Sequence, residues 1–187
     1  MKKYLLPAIK LTIVLVILLG GIYPLLLAGI AKMAPGKGDG VTVTHNGRIV
    51  GYEQIGQKFT EDKYFWGRPS AVDYNAAGSG GSNKAPGNED YLKIVQERID
   101  TFLAHNPDVK KSEIPAELVT ASASGLDPDL SPAAAYIQVA RVAKARSLSP
   151  QKIKELIAAN TKQPVLGMLG TATVNVLKLN VALDELK

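Results

Sequence analysis

The sequence predicts an α+β protein: one N-terminal transmembrane helix followed by a single mixed domain, a short hairpin plus about four helices. Three observations carry this. Leu11 to Ala31, LTIVLVILLGGIYPLLLAGIA, holds no charged residue in 21 positions. Val41 to Thr44 alternates apolar with polar residues, and Arg48 to Ile55 resumes strand-like composition after Asn46-Gly47. Four later segments pair a capping residue with apolar positions at helical spacing.

The uncharged run comes first, because it decides which solvent the other residues meet. At about 1.5 Å per residue it spans roughly 30 Å, the thickness of a bilayer's hydrocarbon core. Lys2, Lys3, Lys10 and the small-x-small triplet Gly29-Ile30-Ala31 would also suit a cleaved signal peptide. The run is longer than the roughly 7 to 15 apolar residues of such signals, and it lacks the polar face of a core helix. An uncleaved anchor is the better reading. Three lysines before the span and Lys32 and Lys37 after it give a small positive-inside bias toward a cytoplasmic N-terminus. The division is then 1–10 cytoplasmic, 11–31 membrane, 32–40 linker and 41–187 an extracytoplasmic domain. Gly20-Gly21 and Pro24 allow a kink or the close approach of another helix.

Met33 to Gly40 is Pro/Gly-rich and reads as a flexible linker. Val41 to Ile55 reads as a β-hairpin turning at Asn46-Gly47. Aromatics gather at Phe59, Tyr64, Phe65 and Trp66, as core closure or as a partner-facing patch. Tyr74 to Gly87 is a glycine-rich loop able to form an anion nest, without the Gly-Lys-Ser/Thr ending of a phosphate loop. Asn88 is a candidate N-cap for a helix to about Ala104, with Leu92, Val95, Ile99, Phe102 and Leu103 on one face. A short strand is expected at Leu118 to Ala121. Ser131-Pro132 and Ser149-Pro150 each place a capping hydroxyl before a first-turn proline, predicting a helical pair. Gln163-Pro164, Gly167 and Gly170 break the chain, and Asn175 caps a last helix.

Composition narrows the function. Three of the 22 basic residues lie in the N-terminal tail, so residues 32–187 carry 19 basic against 17 acidic groups, which gives no case for nucleic acid. The cluster Arg141, Lys144, Arg146, Lys152 and Lys154 reads as a solvated helical face. With no cysteine, disulfides, thiol nucleophiles and thiolate metal sites are excluded. His45 and His105 stand beside turn residues, where surface roles are expected. Ser122, Ser124 and Ser131 have no histidine adjacent in sequence, so a serine hydrolase, one rival reading, needs a remote partner. Asp127 and Asp129 precede a helix start without the ligand spacing of a cation loop. The other rival is an anchored ligand-binding module.

Longer motifs point elsewhere. Leu118 to Arg146, LVTASASGLDPDLSPAAAYIQVARVAKAR, closely resembles the signature segment of the C subunit of the Kdp potassium-transporting P-type ATPase. So do Ile55-Gly56-Gln57 with Phe59, Tyr64 to Ala71, Tyr74-Asn75 with Ser79 to Asn83, and Val174 to Leu177 with Leu179 to Asp184. The resemblance implies a non-enzymatic subunit of a high-affinity K⁺ importer in the cell (inner) membrane, with one transmembrane helix and a periplasmic or extracellular domain. It implies assembly with a KdpA-like channel subunit, a KdpB-like ATPase subunit and a KdpF-like small subunit, which handle K⁺ and ATP; no cofactor is expected in this chain. The family's proposed nucleotide contact falls on Gln138, but an extracytoplasmic helix would meet little ATP. Asp127 and Asp129 are candidates for attracting K⁺. Candidate interface residues are Gly20, Gly21 and Ala28 in the span, and Phe65, Trp66, Arg68, Asn75, Ser79 and Asn83 in the loops. The chain departs from the family pattern at Trp66, often histidine, and at Ala140, often proline; the missing proline predicts a more regular helix.

Overall fold

The computed structural model describes residues 2–186. They form two compact units that divide between Val41 and Thr42.

In the first unit, α1 (Lys2–Ile17) passes through a π-helical turn (Leu18–Ile22) into α2 (Tyr23–Ala31). The run Lys3–Ala31 is 29 residues long and apolar enough to cross a membrane. At 1.5 Å per residue it measures about 44 Å, so its ends extend beyond a hydrocarbon core of about 30 Å. Gly20-Gly21, read as allowing a kink or the close approach of another helix, lie within the π turn. Pro24 has no N–H to offer and its ring crowds the carbonyl four residues back, so the turn before it widens. A Cβ added at Gly20 or Gly21 would meet nothing within 4 Å, and Ala28 is exposed. Within the expected linker, Pro35–Gly38 forms a short turn in which Gly36 (φ 78°) and Lys37 (φ 52°) take left-handed backbone conformations.

The second unit opens with the predicted hairpin. Strand β1 (Thr42–His45) pairs antiparallel with β2 (Arg48–Tyr52), with a register shift at Val43/Thr44. Helix α3 (Glu89–His105) begins where Asn88 accepts the Tyr91 N–H at 2.9 Å. Helices α4 (Pro132–Tyr136), α5 (Val139–Arg146) and α6 (Pro150–Ala159) follow, and Ser131 and Ser149 cap α4 and α6 as their sequence implied. Asn175 caps α7 (Val176–Glu185) by accepting the Lys178 N–H at 3.0 Å. Helices α4, α5 and α7 all pack on α6. Between them lie Phe65, Leu130, Val142, Ile153, Val174 and Leu179, each at most 2% exposed.

Three expectations change, and a sheet is added. No strand forms at Leu118 to Ala121: Pro115 leads into a 3₁₀ turn (Ala116–Leu118), closed where Thr120 Oγ1 donates to the Ala116 carbonyl at 2.7 Å. A three-stranded antiparallel sheet appears instead, in the order β3 (Asp129–Leu130), β5 (Thr173–Asn175), β4 (Thr161–Lys162). Strands of two or three residues carry no readable alternation. On α3 only Phe102 of the expected apolar face is buried, while Leu92 remains 50% exposed. The helix expected to gain regularity without a proline is divided at Ile137-Gln138, where the turn tightens to a Gln138 N–H bond with the Ala135 carbonyl (3.1 Å). Gln138 is drawn inward there.

Candidate functional site

Phe59 to Ser70 carries neither helix nor strand, yet Phe65 at its centre is fully buried. A buried backbone must find partners, and here side chains replace a neighbouring strand. Asn180, from α7, accepts the Phe65 N–H at 2.8 Å and donates to the Phe65 carbonyl at 3.0 Å. Gln138, from the α4–α5 break, does the same for the next residue: it accepts the Trp66 N–H at 2.9 Å and donates to the Trp66 carbonyl at 3.1 Å. Each amide presents one donor and one acceptor side by side, as a peptide group does in a ladder.

Arg141 completes the clamp. Its guanidinium donates to the carbonyls of Asp62 (2.9 Å) and Tyr64 (3.1 Å), to Gln138 Oε1 (2.7 Å) and to Asn106 Oδ1 (3.2 Å). It also lies 4.2 Å from the centre of the Trp66 ring. Burial pulls its pKa down to about 10, against the pull of Asp62. Arg141 is therefore no part of a solvated basic face, and Arg146 also turns inward, 2.5 Å from Asp184. A charge buried this deeply is tolerated only because its donors are occupied.

The adjoining loops are tied together through Arg68, Ser70 and Tyr74. Arg68 Nη1 meets Asp127 Oδ2 at 2.9 Å, and the Tyr74 hydroxyl donates to the Arg68 carbonyl. Burial first, then the charges of Asp127 and Asp73, push the Tyr74 pKa up to about 12. Gly56 donates its N–H to the Leu126 carbonyl at 2.8 Å, so close that an added Cβ would stand 2.5 Å from the Asp127 oxygen. Asp129 is half-buried, bonded to Asn175 Nδ2 at 3.2 Å, and burial raises its pKa. A cleft of about 340 Å³ lies beside Trp66, with Phe59, Phe102, Arg68, Arg98 and His105 among its walls. Most of its basic groups are engaged: Arg68 Nη1 with Asp127, Lys58 with Asp73 (2.7 Å), His105 with Asp62 (2.7 Å), and Arg98 with the Val119 carbonyl (3.1 Å), while Arg68 Nε is buried without a hydrogen-bond partner.

The residues singled out in the sequence divide accordingly. Gln138 is fully buried; its two amide hydrogens go to the Trp66 and Ala134 carbonyls and its oxygen to Trp66 N–H and Arg141, leaving no valence for a nucleotide. Phe65 cannot anchor a partner, because none of its surface is exposed. Trp66 and Arg68 are partly exposed, and Asn75, Ser79 and Asn83 are exposed on the loop, where Ser79 Oγ donates to the Ser124 carbonyl at 2.9 Å. Asp127 is held by Arg68 and Asp129 by Asn175. Ser122 is buried, and Ser124 accepts the Leu126 N–H. Among the described residues no serine hydroxyl bonds either histidine, since His105 faces Asp62 and His45 faces Asn46. Among the same residues no group of three or more His, Asp or Glu is placed to hold a metal. Sequence reasoning missed Asn180, whose one signal was a lone amide in an apolar helical run, and the inward turn of Arg141, which stands one helical turn after Gln138.

A family model described as KdpC, K⁺-transporting ATPase c chain, matches residues 5–185. The chain is 60% identical over 185 residues to the potassium-transporting ATPase KdpC subunit of Flavobacterium psychrophilum, a match covering 99% of this chain and 100% of that protein. It is 57% identical over 185 residues to the subunit of the same name in Flavobacterium johnsoniae, again covering 99% and 100%. To that of Caldanaerobacter subterraneus subsp. tengcongensis it is 49% identical over 178 residues, covering 95% of this chain and 92% of the relative. On a match of this extent the chain belongs to the KdpC family of K⁺-transporting ATPase subunits, with an accessory role in potassium transport.

Proposed function

We propose that this subunit works without catalysing a reaction itself: it assembles and stabilises the KdpA-like channel subunit and the KdpB-like ATPase subunit, with a KdpF-like small subunit in the same complex. The observation that carries this reading is the clamp. Gln138, Arg141 and Asn180 are spent on fixing the segment around Phe65 and Trp66, so these buried polar groups shape a surface rather than meet a ligand. ATP and K⁺ are then bound by the other subunits. The domain lies outside the cytoplasm near the outer K⁺ entrance, and the span buries Gly20, Gly21 and Ala28 against another helix. Attraction of K⁺ by Asp127 and Asp129 adds little, because Arg68 offsets the first charge and burial disfavours the second.

A tagged chain solubilised in mild detergent should retain a P-type ATPase, and its deletion should lower K⁺ uptake at limiting K⁺. Recovery of the chain alone from cells with active uptake sinks the assembly reading. Orientation has its own test, since the chain is free of cysteine. An Ala158→Cys variant, at an exposed position of α6, should react with an impermeant thiol reagent in intact cells once any outer membrane is permeabilised. Labelling that requires opening the cytoplasm reverses the topology.

A further inference from the structure

Strands β4 and β5 form a hairpin rooted in the core by Val174, which is fully buried, and its tip carries four large aliphatic side chains into solvent. Val165, Leu166, Met168 and Leu169 are 57%, 81%, 80% and 63% exposed. An apolar cluster of this kind on a folded domain marks a contact site. The tip is also built to hold its shape. Val165 and Leu169 exchange backbone hydrogen bonds of 3.0 and 2.9 Å, and the N–H groups of Gly167 and Met168 are taken by Pro164 and Val165. Four tip donors are thus satisfied before any contact forms, which lowers the penalty for burying them. Leu166 adopts φ 56°, a left-handed conformation that asparagine or glycine would accept with less strain. The chain accepts that strain and keeps an exposed leucine at the apex.

We infer that Pro164 to Gly170 is a docking knob that inserts into an apolar socket on a partner subunit of the same pump. The inference rests on the assembly reading above. Family membership supplies the partner, since KdpC is one subunit of a transport complex. The tip chemistry selects protein over lipid: from Gln163 to Thr171 there is no aromatic and no basic residue, whereas loops that rest in a bilayer interface use Trp, Tyr, Lys and Arg. A tip closed by the single Val165–Leu169 bridge, with its apolar side chains exposed, suits a socket on a different surface and not a self-complementary face between two copies.

Two variants of the full chain, expressed with the other pump subunits, test this. Leu166→Asn with Met168→Gln removes the apolar apex and suits the backbone at position 166, so the chain should fold with an unchanged thermal midpoint. Recovery of the complex on that variant should fall tenfold or more. Recovery equal to wild type overturns the knob while leaving the assembly reading intact; a wild-type chain that retains no pump subunit defeats both. Met168→Cys carrying an environment-sensitive dye gives the second readout. Its emission should move to the blue only in the assembled complex. The same shift for the lone subunit in lipid nanodiscs identifies the bilayer as occupant, and no shift in either state leaves the tip in water; both overturn the inference.

Discussion

Replacing Gln138 with leucine removes four hydrogen bonds from a fully buried site while nearly preserving side-chain volume. Three groups lose their only close partner at that point: the Trp66 N–H, the Trp66 carbonyl and one Arg141 N–H. The Ala134 carbonyl, which the Gln138 N–H passes over for Ala135, loses its bond as well, so a sum over the other three groups is a lower bound. An unsatisfied buried group costs about 1–3 kcal/mol, with the charged donor at the upper end. Two neutral groups and one charged donor sum to about 4–6 kcal/mol, of which the more apolar leucine returns about 1 kcal/mol. A net loss of about 3–5 kcal/mol is a large share of the roughly 5–15 kcal/mol that holds a domain folded. Urea unfolding should show it as a fall in midpoint of about 2 M at unchanged slope. Trp66 is the only tryptophan, and it sits on the clamp, so its fluorescence follows the transition directly. A Gln138→Leu chain that unfolds within about 0.5 kcal/mol of wild type, the range of ordinary surface substitutions, refutes the clamp.

Three further outcomes are expected. Burial raises the Asp129 pKa in the folded state, so folding favours the protonated form and the charge reduces stability once pH rises through the folded value. Asp129→Asn keeps the oxygen that Asn175 bonds, and should gain stability at pH 7 with the gain vanishing under acid; an equal difference at both pH values refutes the assignment. Tyr74, pushed up to about 12, keeps its proton in the folded chain after the unfolded chain begins to lose it near pH 10, so stability should fall above that pH. Tyr74→Phe should reduce that slope in alkaline denaturant titrations, leaving the smaller part due to Tyr64, whose pKa burial also raises, while losing about 1 kcal/mol for the bond to the Arg68 carbonyl. Gly56→Ala drives a Cβ to 2.5 Å from a backbone oxygen that cannot swing away, and should lower stability by about 1–3 kcal/mol. Gly87→Ala, which meets nothing within 4 Å, is the neutral control for the same melts.

Several features whose cause lies within a few residues are legible in the local sequence. An uncharged run long enough to cross a bilayer is written in composition. Asn88, Ser131, Ser149 and Asn175 each accept an N–H three residues on, so helix starts were readable from single letters. The hairpin at Asn46-Gly47 followed from backbone conformations those two residues tolerate. Leu118 to Ala121 shows the limit of that reading, because its strand-like composition yielded to the proline just upstream.

The roles of the clamp residues come from packing across the domain. Gln138 meets Trp66 across 72 residues, and Asn180 meets Phe65 across 115. Neither pair leaves a periodic trace, because the segment they hold has no regular structure of its own. The same holds for Arg141, whose charge suggested solvent until the carbonyls of Asp62 and Tyr64 gave its donors somewhere to go. Local sequence can state which hydrogen bonds a residue is able to make. Which of them it does make depends on the chain that packs against it, and for Phe59 to Ser70 that chain comes from the far end of the domain.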